Sequence, residues 1–251
     1  MTDPGQDLPV EGSLADARRA ELAGRLELVR HRIAAATKAA GRSDEPRLIV
    51  VTKFHPAADV RRLAALGVAD LGENRDQEAA AKSADLADLD VRWHFIGQLQ
   101  SNKAKSVAKY AYSVQSIDRI QVVDALAKAI AREQDATGRG DLECFIQVGL
   151  DDNAGAHRGG AGPADVEVLA DHIEAAVGLK FAGLMAVAPL GADPEAAFAK
   201  LAAISDAVRM IHPDAVGISA GMSQDLEAAV KFGATHLRIG SDILGSRPAV
   251  G

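Results

Sequence analysis

The chain has 251 residues, of which 48% are hydrophobic and 25% are charged, and its formal net charge is −7. This size and balance suit one soluble globular domain and exclude a globally disordered chain. The acidic charge, without a basic cluster, argues against a nucleic-acid partner. No apolar run approaches the roughly 20 residues that cross a bilayer. The polar N-terminus does not resemble a signal peptide, so we expect a cytoplasmic protein that binds no membrane.

The first segment of the chain has little apolar content. Residues 1–12 contain two prolines, and we predict a disordered tail there and one domain over residues 13–251. Apolar residues then recur at helical spacing and predict a helix over residues 13–40, which Gly41 ends. We expect this extra N-terminal helix to pack its apolar stripe over the domain. The stripe consists of Leu22, Leu26, Val29 and Ile33.

From residue 47 onward, short apolar runs alternate with alanine-rich helical stretches, which predicts parallel strands covered by helices. Eight such units favour closure into a single (βα)8 TIM barrel over an open doubly wound sheet. Few residues separate the units, and no G-x-G-x-x-G motif follows the first strand. We predict a loop over the glycine-rich residues 155–162. The predicted strands are residues 47–53, 68–74, 91–97, 112–117, 143–150, 180–188, 216–222 and 236–245.

Lys53 stands at the end of the first predicted strand. In a TIM barrel, functional residues lie at the C-terminal ends of the strands. A lysine there leaves an apolar wall and enters the barrel mouth, where partial loss of solvent favours the neutral amine that forms a Schiff base. A lysine that merely reaches out to water is the alternative.

Two small turns follow strands 7 and 8, where this fold commonly binds phosphate. In the first, Gly221 allows the backbone to approach a ligand, and Ser223 is expected to begin a helix whose free N–H groups attract an anion. In the second, Gly240 and Ser241 offer the same chemistry. Ordinary turn and capping roles are the alternative for both.

Arg238 alternates with the apolar residues Leu237 and Ile239 and therefore faces the other side of its strand. A guanidinium among barrel strands is unfavourable unless it meets an anion or a strong acceptor. A salt bridge to a carboxylate such as Glu73 is the structural alternative. An amine, a phosphate cradle and this arginine together suit pyridoxal 5′-phosphate (PLP), although a sugar phosphate would fit the same cradle.

The histidines and the cysteine give no sign of a metal centre. The seven histidines lack metal-ligand spacing, so we predict no bound metal. We expect the inward-facing His94 to be a hydrogen-bonded core residue. The single cysteine, Cys144, excludes an internal disulfide.

Six segments, in order along the chain, resemble the pyridoxal phosphate homeostasis protein family. This resemblance implies a barrel of the alanine racemase N-terminal-domain type, without the second, β-rich domain of the racemases. The segments are VVTK (50–53), LGENRDQE (71–78), WHFIGQLQSNK (93–103), GLMAVAP (183–189), SAGMSQDLEAAV (219–230) and RIGSDILGSR (238–247).

The resemblance also implies roles for individual residues. It makes Lys53 the Schiff-base lysine and Arg238 the partner of the pyridine nitrogen, and it places Asn74 beside the cofactor. Two positions depart from the family pattern: Arg75 replaces a tyrosine, and Asp242 puts an acid near the phosphate, which is tolerable only if it points away. The implied phosphate contacts are Ser219, Gly221, Met222, Ser223, Gly240 and Ser241.

The family's function implies a monomeric carrier that buffers or delivers PLP, with apo PLP-dependent enzymes as candidate recipients. The alternative is a weakly active amino-acid racemase or lyase, and a third possibility is a Schiff-base aldolase, which would be colourless. Racemisation needs two bases. Both tyrosines, Tyr110 and Tyr112, fall at the start of strand 4, at the opposite end of the barrel from Lys53. An arginine beside the ring nitrogen also weakens the ring as an electron sink. We therefore predict a non-catalytic carrier without catalytic residues.

Overall fold

The computed structural model describes residues 11–151 and 159–246, and it opens with a long helix. Helix α1 spans Glu11–Ala39, so it begins two residues earlier than predicted. Gly41, at a φ of +68°, follows it. The predicted apolar stripe is at most 3% exposed and packs into the core. Residues 1–10 of the predicted tail and residues 155–158 of the predicted loop lie outside the described residues.

Eight parallel strands form a closed barrel in chain order, which confirms the predicted TIM barrel. The last strand closes onto the first, with Arg47 paired to His236 and Val50 paired to Ile239. Each observed strand overlaps one predicted run. The strands are β1 (Arg47–Val51), β2 (Asp70–Glu73), β3 (Arg92–Phe95), β4 (Ala111–Ile117), β5 (Leu142–Gln147), β6 (Leu179–Met185), β7 (Gly217–Ser219) and β8 (His236–Ile239).

Helices cover the outside of the barrel, and their ends follow local chemistry. The Asp193 carboxylate accepts the Glu195 N–H and Pro194 stands in the first turn, so α7 begins there. None of the helices in the described part of the chain combines the length and hydropathy needed to span a lipid bilayer. The helices after α1 are α2 (Ala57–Ala65), α3 (Asp76–Asp85), α4 (Ala104–Tyr110), α5 (Ile120–Thr137), α6 (Val166–Glu174), α7 (Pro194–Arg209), α8 (Leu226–Lys231) and α9 (Ser241–Leu244).

The two faces of each strand carry different chemistry. Val50, Leu71 and Leu237 face outward, are fully buried and pack in the core between strands and helices. Burial of each such side chain contributes about 1.5–3 kcal/mol. The inner faces hold polar groups among apolar ones, and these polar groups lead to the mouth of the barrel.

Three predicted boundaries near the mouth are wrong. β1 ends at Val51, so Lys53 lies in the following turn, although Thr52 still pairs through its N–H with Gly72. Ser223 does not begin a helix: the Asp225 carboxylate accepts the Met222 N–H at 2.6 Å, a turn forms, and α8 starts afterwards. The run 236–245 also divides into β8 and α9.

Candidate functional site

Lys53 continues the inward-facing series of β1. The register pairs Val51 with Gly72, and a Cβ at Gly72 would lie 3.1 Å from Ile49 Cγ2 and 3.4 Å from Val51 Cγ2. Residues 49 and 51 therefore face the lumen, and the alternation directs residue 53 to its rim. Asn74 takes the equivalent position after β2. Lys53 and Asn74 thus follow the C-terminal ends of neighbouring strands, and their place beside a cofactor stays a prediction.

The turn after β1 has an unusual backbone. Phe54 adopts a φ of +69°, in the left-handed region that a residue with a side chain occupies at a cost of about 1–2 kcal/mol. The Arg75 guanidinium lies 5.3 Å from the centroid of the Phe54 ring. Arg75, where the resemblance implies a tyrosine, therefore covers the residue next to Lys53 through a cation–π contact.

Arg238 lies in the lumen below the rim, with 4% of its surface exposed. Its Nη1 donates to Ser219 Oγ at 2.7 Å and its Nη2 to the Ala186 carbonyl at 2.9 Å. Burial lowers the pKa of the guanidinium to about 10, so Arg238 remains a cation at neutral pH. Glu73 instead bonds Lys82 at 2.7 Å, and burial raises the pKa of that carboxyl. The alternative Arg238–Glu73 pair is thus not formed.

A chain of hydrogen bonds continues from this arginine down the lumen. Ser219 Oγ donates to Gln115 Oε1 at 2.7 Å, and Gln115 Nε2 lies 3.4 Å from His94 Nδ1. His94 Nδ1 lies 2.7 Å from Ser113 Oγ, and its Nε2 lies 2.8 Å from Asp70 Oδ1. Burial lowers the pKa of His94. The neutral ring therefore carries its proton on Nε2, facing the carboxylate, and the prediction of a hydrogen-bonded core histidine is confirmed.

The turns after β7 and β8 converge at the mouth. Ser223 Oγ and Ser241 Oγ lie 3.3 Å apart. Gly221 has a φ of +93°, and a Cβ on it would lie 2.7 Å from Leu237 Cδ2, so only glycine fits there. A Cβ at Gly240 would lie 3.1 Å from the Val51 carbonyl. Two hydroxyl groups and two close-packed backbone segments thus meet beside the end of β1.

Met222 and Ser219 occupy different depths in the first of these turns. Met222 is 36% exposed, whereas Ser219 is fully buried. The Ser219 hydroxyl already accepts from Arg238 and donates to Gln115. The implied phosphate contacts of both residues stay predictions.

Asp242, the second position that departs from the pattern of the resembled family, forms an ion pair with helix α1. Asp242 accepts a hydrogen bond from Arg32 of α1, with Nη1 2.8 Å from Oδ2. The same guanidinium donates through Nη2 to the Ser223 carbonyl at 3.1 Å and through Nε to Glu227 at 3.0 Å. Asp242 is therefore ion-paired with Arg32, which also pairs with Glu227. Motif analysis did not identify Arg32, because its contacts join α1 to residues 191 to 210 positions further along the chain.

Both tyrosine hydroxyls are hydrogen-bonded to carboxylates. The Tyr110 hydroxyl lies 3.3 Å from Asp76 Oδ1 between α3 and α4, and burial raises the pKa of Tyr110 far above its ordinary value. Tyr112, near the N-terminal end of β4, bonds Glu143 at 3.1 Å. Across residues 11–151 and 159–246, no three His, Cys, Asp or Glu side chains cluster closely enough to hold a metal ion.

Comparison with known proteins places this arrangement in a family. The profile of the alanine racemase N-terminal domain family matches residues 25–248. A pyridoxal phosphate homeostasis protein from Mycobacterium leprae is 40% identical over 254 residues, covering 95% of this chain and 96% of the relative. PipY from Synechococcus elongatus, solved with PLP bound, is 32% identical with a TM-score of 0.77, covering 89% of this chain and 100% of PipY.

A more distant structure shares the fold alone. Alanine racemase from Streptomyces coelicolor is 19% identical, with a TM-score of 0.67 over 91% of this chain and 58% of the racemase. The matched profile and the well-covered relatives agree on one assignment. The chain belongs to the alanine racemase N-terminal domain family, within its group of pyridoxal phosphate homeostasis proteins.

Proposed function

We propose that this protein binds PLP covalently through Lys53 and buffers or delivers it, with little or no turnover of its own. One observation carries the proposal: a rim lysine, a buried cationic arginine and a pair of converging serine turns share one barrel mouth. PLP bound to PipY supports the choice of ligand. We further propose that the carrier acts as a monomer, with apo forms of PLP-dependent enzymes as recipients.

The donors of the mouth fit this ligand. Arg238 pairs in register with Ile49, four residues before Lys53, so its backbone lies deeper in the barrel than that of Lys53. The Ser223 and Ser241 hydroxyls, 3.3 Å apart, suit the several acceptor oxygens of a phosphate group.

Each residue has a distinct part in the proposal. Lys53 would supply the primary amine and PLP the aldehyde: a carbon–nitrogen double bond forms, and the aldehyde oxygen leaves as water. PLP would also bring a ring that delocalises charge. Arg238 presents N–H donors to the ring nitrogen, and Asn74 lies beside the ring. The proposed phosphate contacts come from the two turns and from one buried serine beneath them: Gly221, Met222, Ser223, Gly240, Ser241 and Ser219.

The same geometry favours a carrier over an enzyme. Arg238 can only donate, and it stays charged at neutral pH, so it leaves the ring nitrogen without a proton and weakens the ring as an electron sink. Neither tyrosine of the chain offers a second base, since Tyr110 reaches Asp76 and Tyr112 reaches Glu143. A weakly active racemase or lyase is the second candidate, because the barrel shares its fold with alanine racemase.

The test combines binding with proton exchange. PLP added to the purified protein should produce a visible absorption band that survives gel filtration, while L-alanine in deuterated buffer keeps its α-hydrogen over many hours. Absence of a retained band would contradict PLP binding. Rapid loss of the α-hydrogen, dependent on PLP and protein together, would contradict the non-catalytic role and favour the racemase or lyase.

A further inference from the structure

The turn that contains Lys53 is held by two side chains of α3. Lys82 Nζ donates to the Thr52 carbonyl at 2.7 Å, and the Phe54 N–H donates to Glu78 Oε1 at 2.6 Å. These two backbone groups belong to the peptide units on either side of Lys53. Both peptide planes that flank the lysine are thereby anchored to one helix.

The two anchoring side chains also bind each other. Lys82 Nζ lies 2.7 Å from Glu78 Oε1, one helical turn away, and 2.7 Å from Glu73 Oε1. Lys82 is 6% exposed and Glu73 is 1% exposed. Thr52 Oγ1 completes the cluster by donating to Glu73 at 2.6 Å. Glu73 Oε2 has no hydrogen-bond partner among the described residues, but the contacts of Lys82 still join Glu73, Glu78 and the Thr52 backbone into one largely buried network.

The network assigns different chemistry to two lysines. An ammonium has three N–H donors, and Lys82 donates to three acceptors: the Thr52 carbonyl, Glu73 and Glu78. In this state it has no lone pair for an aldehyde. Lys82 is thus a structural cation, and the turn that it stabilises presents Lys53 to the lumen.

The backbone at Phe54 shows that this turn needs support. Its φ of +69° is a conformation that residues with a side chain rarely adopt. The Phe54 N–H is the donor that Glu78 captures, so the carboxylate stabilises the direction in which the chain leaves Lys53. The Arg75 guanidinium adds a contact over the Phe54 ring.

We propose that Glu78 and Lys82 form a positioning pair that fixes the direction of Lys53 and sets the rate at which its amine joins PLP. This inference rests on the proposed function. A displacement of about 1 Å in a reacting group can slow a reaction by about a hundredfold, so the orientation of a flexible lysine is worth fixing at its backbone.

The variant Glu78→Ala removes the anchor of Phe54. The Glu78 side chain is partly exposed, so its truncation is tolerable. Loss of Lys82, by contrast, would leave the buried Glu73 without its cation. Glu78→Gln keeps an oxygen for the Phe54 N–H and serves as the conservative rescue. Asp88→Ala is the matched control, since it breaks an exposed ion pair with Arg61.

The first readout needs no cofactor. In the wild-type protein, the Phe54 amide should exchange slowly with deuterated solvent, and Glu78→Ala should accelerate this exchange by about tenfold or more. Glu78→Gln and Asp88→Ala should stay within threefold of the wild type. Equal exchange of the Phe54 amide in the wild type and in Glu78→Ala would overturn the anchoring role.

The second readout compares two ligands. The rate of covalent joining to PLP, followed by stopped-flow absorbance, should fall about tenfold or more in Glu78→Ala. The dissociation constant for pyridoxamine 5′-phosphate should change less than threefold, because this ligand has no aldehyde and does not join the lysine. It is the control for folding, since misfolding would weaken the binding of both ligands. A wild-type rate in Glu78→Ala overturns this inference alone, and equal weakening of both ligands overturns it in favour of a structural role. A wild-type protein that never joins PLP overturns the proposed function as well.

Discussion

At the scale of single residues, the mouth of the barrel separates two cations by depth. Lys53 stands at the rim in a turn, partly exposed, and Arg238 lies four residues deeper in the register. Arg238 is satisfied by Ser219 and by the Ala186 carbonyl rather than by a carboxylate. A guanidinium without a carboxylate partner keeps its charge available to a ligand, which is why its position matters for cofactor retention.

Lys53→Ala should abolish the visible band that PLP produces, because the covalent bond needs this amine. Only partly exposed atoms are removed, so the thermal midpoint should move by a few degrees at most. Absorbance titration and circular dichroism measure the two effects. Lys105→Ala, an exposed lysine of α4, is the control. A full-strength band in Lys53→Ala would refute the assignment.

Arg238→Gln should increase the rate of PLP release by about tenfold or more, since charge-assisted hydrogen bonds are about twice as strong as neutral ones. Arg139→Gln is a matched control: that half-buried arginine donates to the Ala108 and Ala111 carbonyls at the other end of the barrel. Transfer of PLP to an excess of a trapping amine gives the release rate. Release as slow as in the wild type would show that Arg238 does not contact the pyridine ring.

At the scale of elements, helix α1 ties the two serine turns together. Arg32 reaches Ser223, Glu227 and Asp242, which belong to the turn after β7, to α8 and to α9. The N-terminal helix is thus more than an apolar cover for the barrel. Because α1 carries the guanidinium that joins these elements, its docking and the shape of the phosphate region are linked.

Arg32→Ala should weaken PLP binding by about tenfold, because each hydrogen bond to a charged group contributes about 1.5–3 kcal/mol and this arginine is partly exposed. Binding of pyridoxal, which lacks the phosphate, should change little. Equilibrium dialysis measures both constants. Arg30→Ala, on the same helix but facing the Leu66 carbonyl, is the control. Equal losses for PLP and pyridoxal would argue against a role at the phosphate.

The order of strands and helices could be predicted from sequence, whereas several element ends could not. Parallel strands are buried on both faces and therefore appear in the sequence as continuous apolar runs. The eight apolar runs for this reason predicted eight strands in the correct order. Strand ends depend instead on single contacts: the Met222 N–H bound by Asp225 delays α8, and the positive φ of Phe54 turns the chain after β1. Such contacts form only after the chain has folded.

The polar lumen shows what sequence patterns could have added. Ser113 and Gln115 lie on either side of the buried Val114 in β4, a spacing of two that places both on one face of the strand. Combined with the alternation around His94, this spacing could have indicated a polar inner face of the barrel. The partner of each group could not be predicted, because His94 meets Asp70 across 24 residues and Ser219 meets Gln115 across 104.

At the scale of the whole molecule, buried histidines link stability to pH. Burial lowers the pKa of His94, and it lowers the pKa of His236 to about 3. The unfolded chain takes up protons below pH about 6.5, whereas the folded chain leaves these rings neutral. Their contribution is therefore complete above pH about 6.5 and declines as the pH falls toward their folded pKa values. Burial raises the pKa of Glu73, so the folded chain keeps this proton to a higher pH than the unfolded chain does. Glu73 therefore lowers the free energy of unfolding as the pH rises.

The free energy of unfolding should thus fall by up to about 1 kcal/mol per pH unit for each buried histidine between pH about 6.5 and 5. Urea unfolding at several pH values, compared between the wild type and His94→Gln, isolates the share of His94 from that of Glu73. His31→Gln, an exposed histidine of α1, is the control. An identical pH slope in the wild type and in His94→Gln would contradict this origin.

Borohydride reduction of the PLP complex, followed by peptide mass mapping, tests the central claim most directly, because it identifies the ligand and the anchoring amine together. We predict one reduced pyridoxyl phosphate group per chain, carried by the peptide that contains Lys53, with Lys82 unlabelled. A reduced adduct spread over surface lysines, an adduct on Lys82, or no adduct at all would contradict the account.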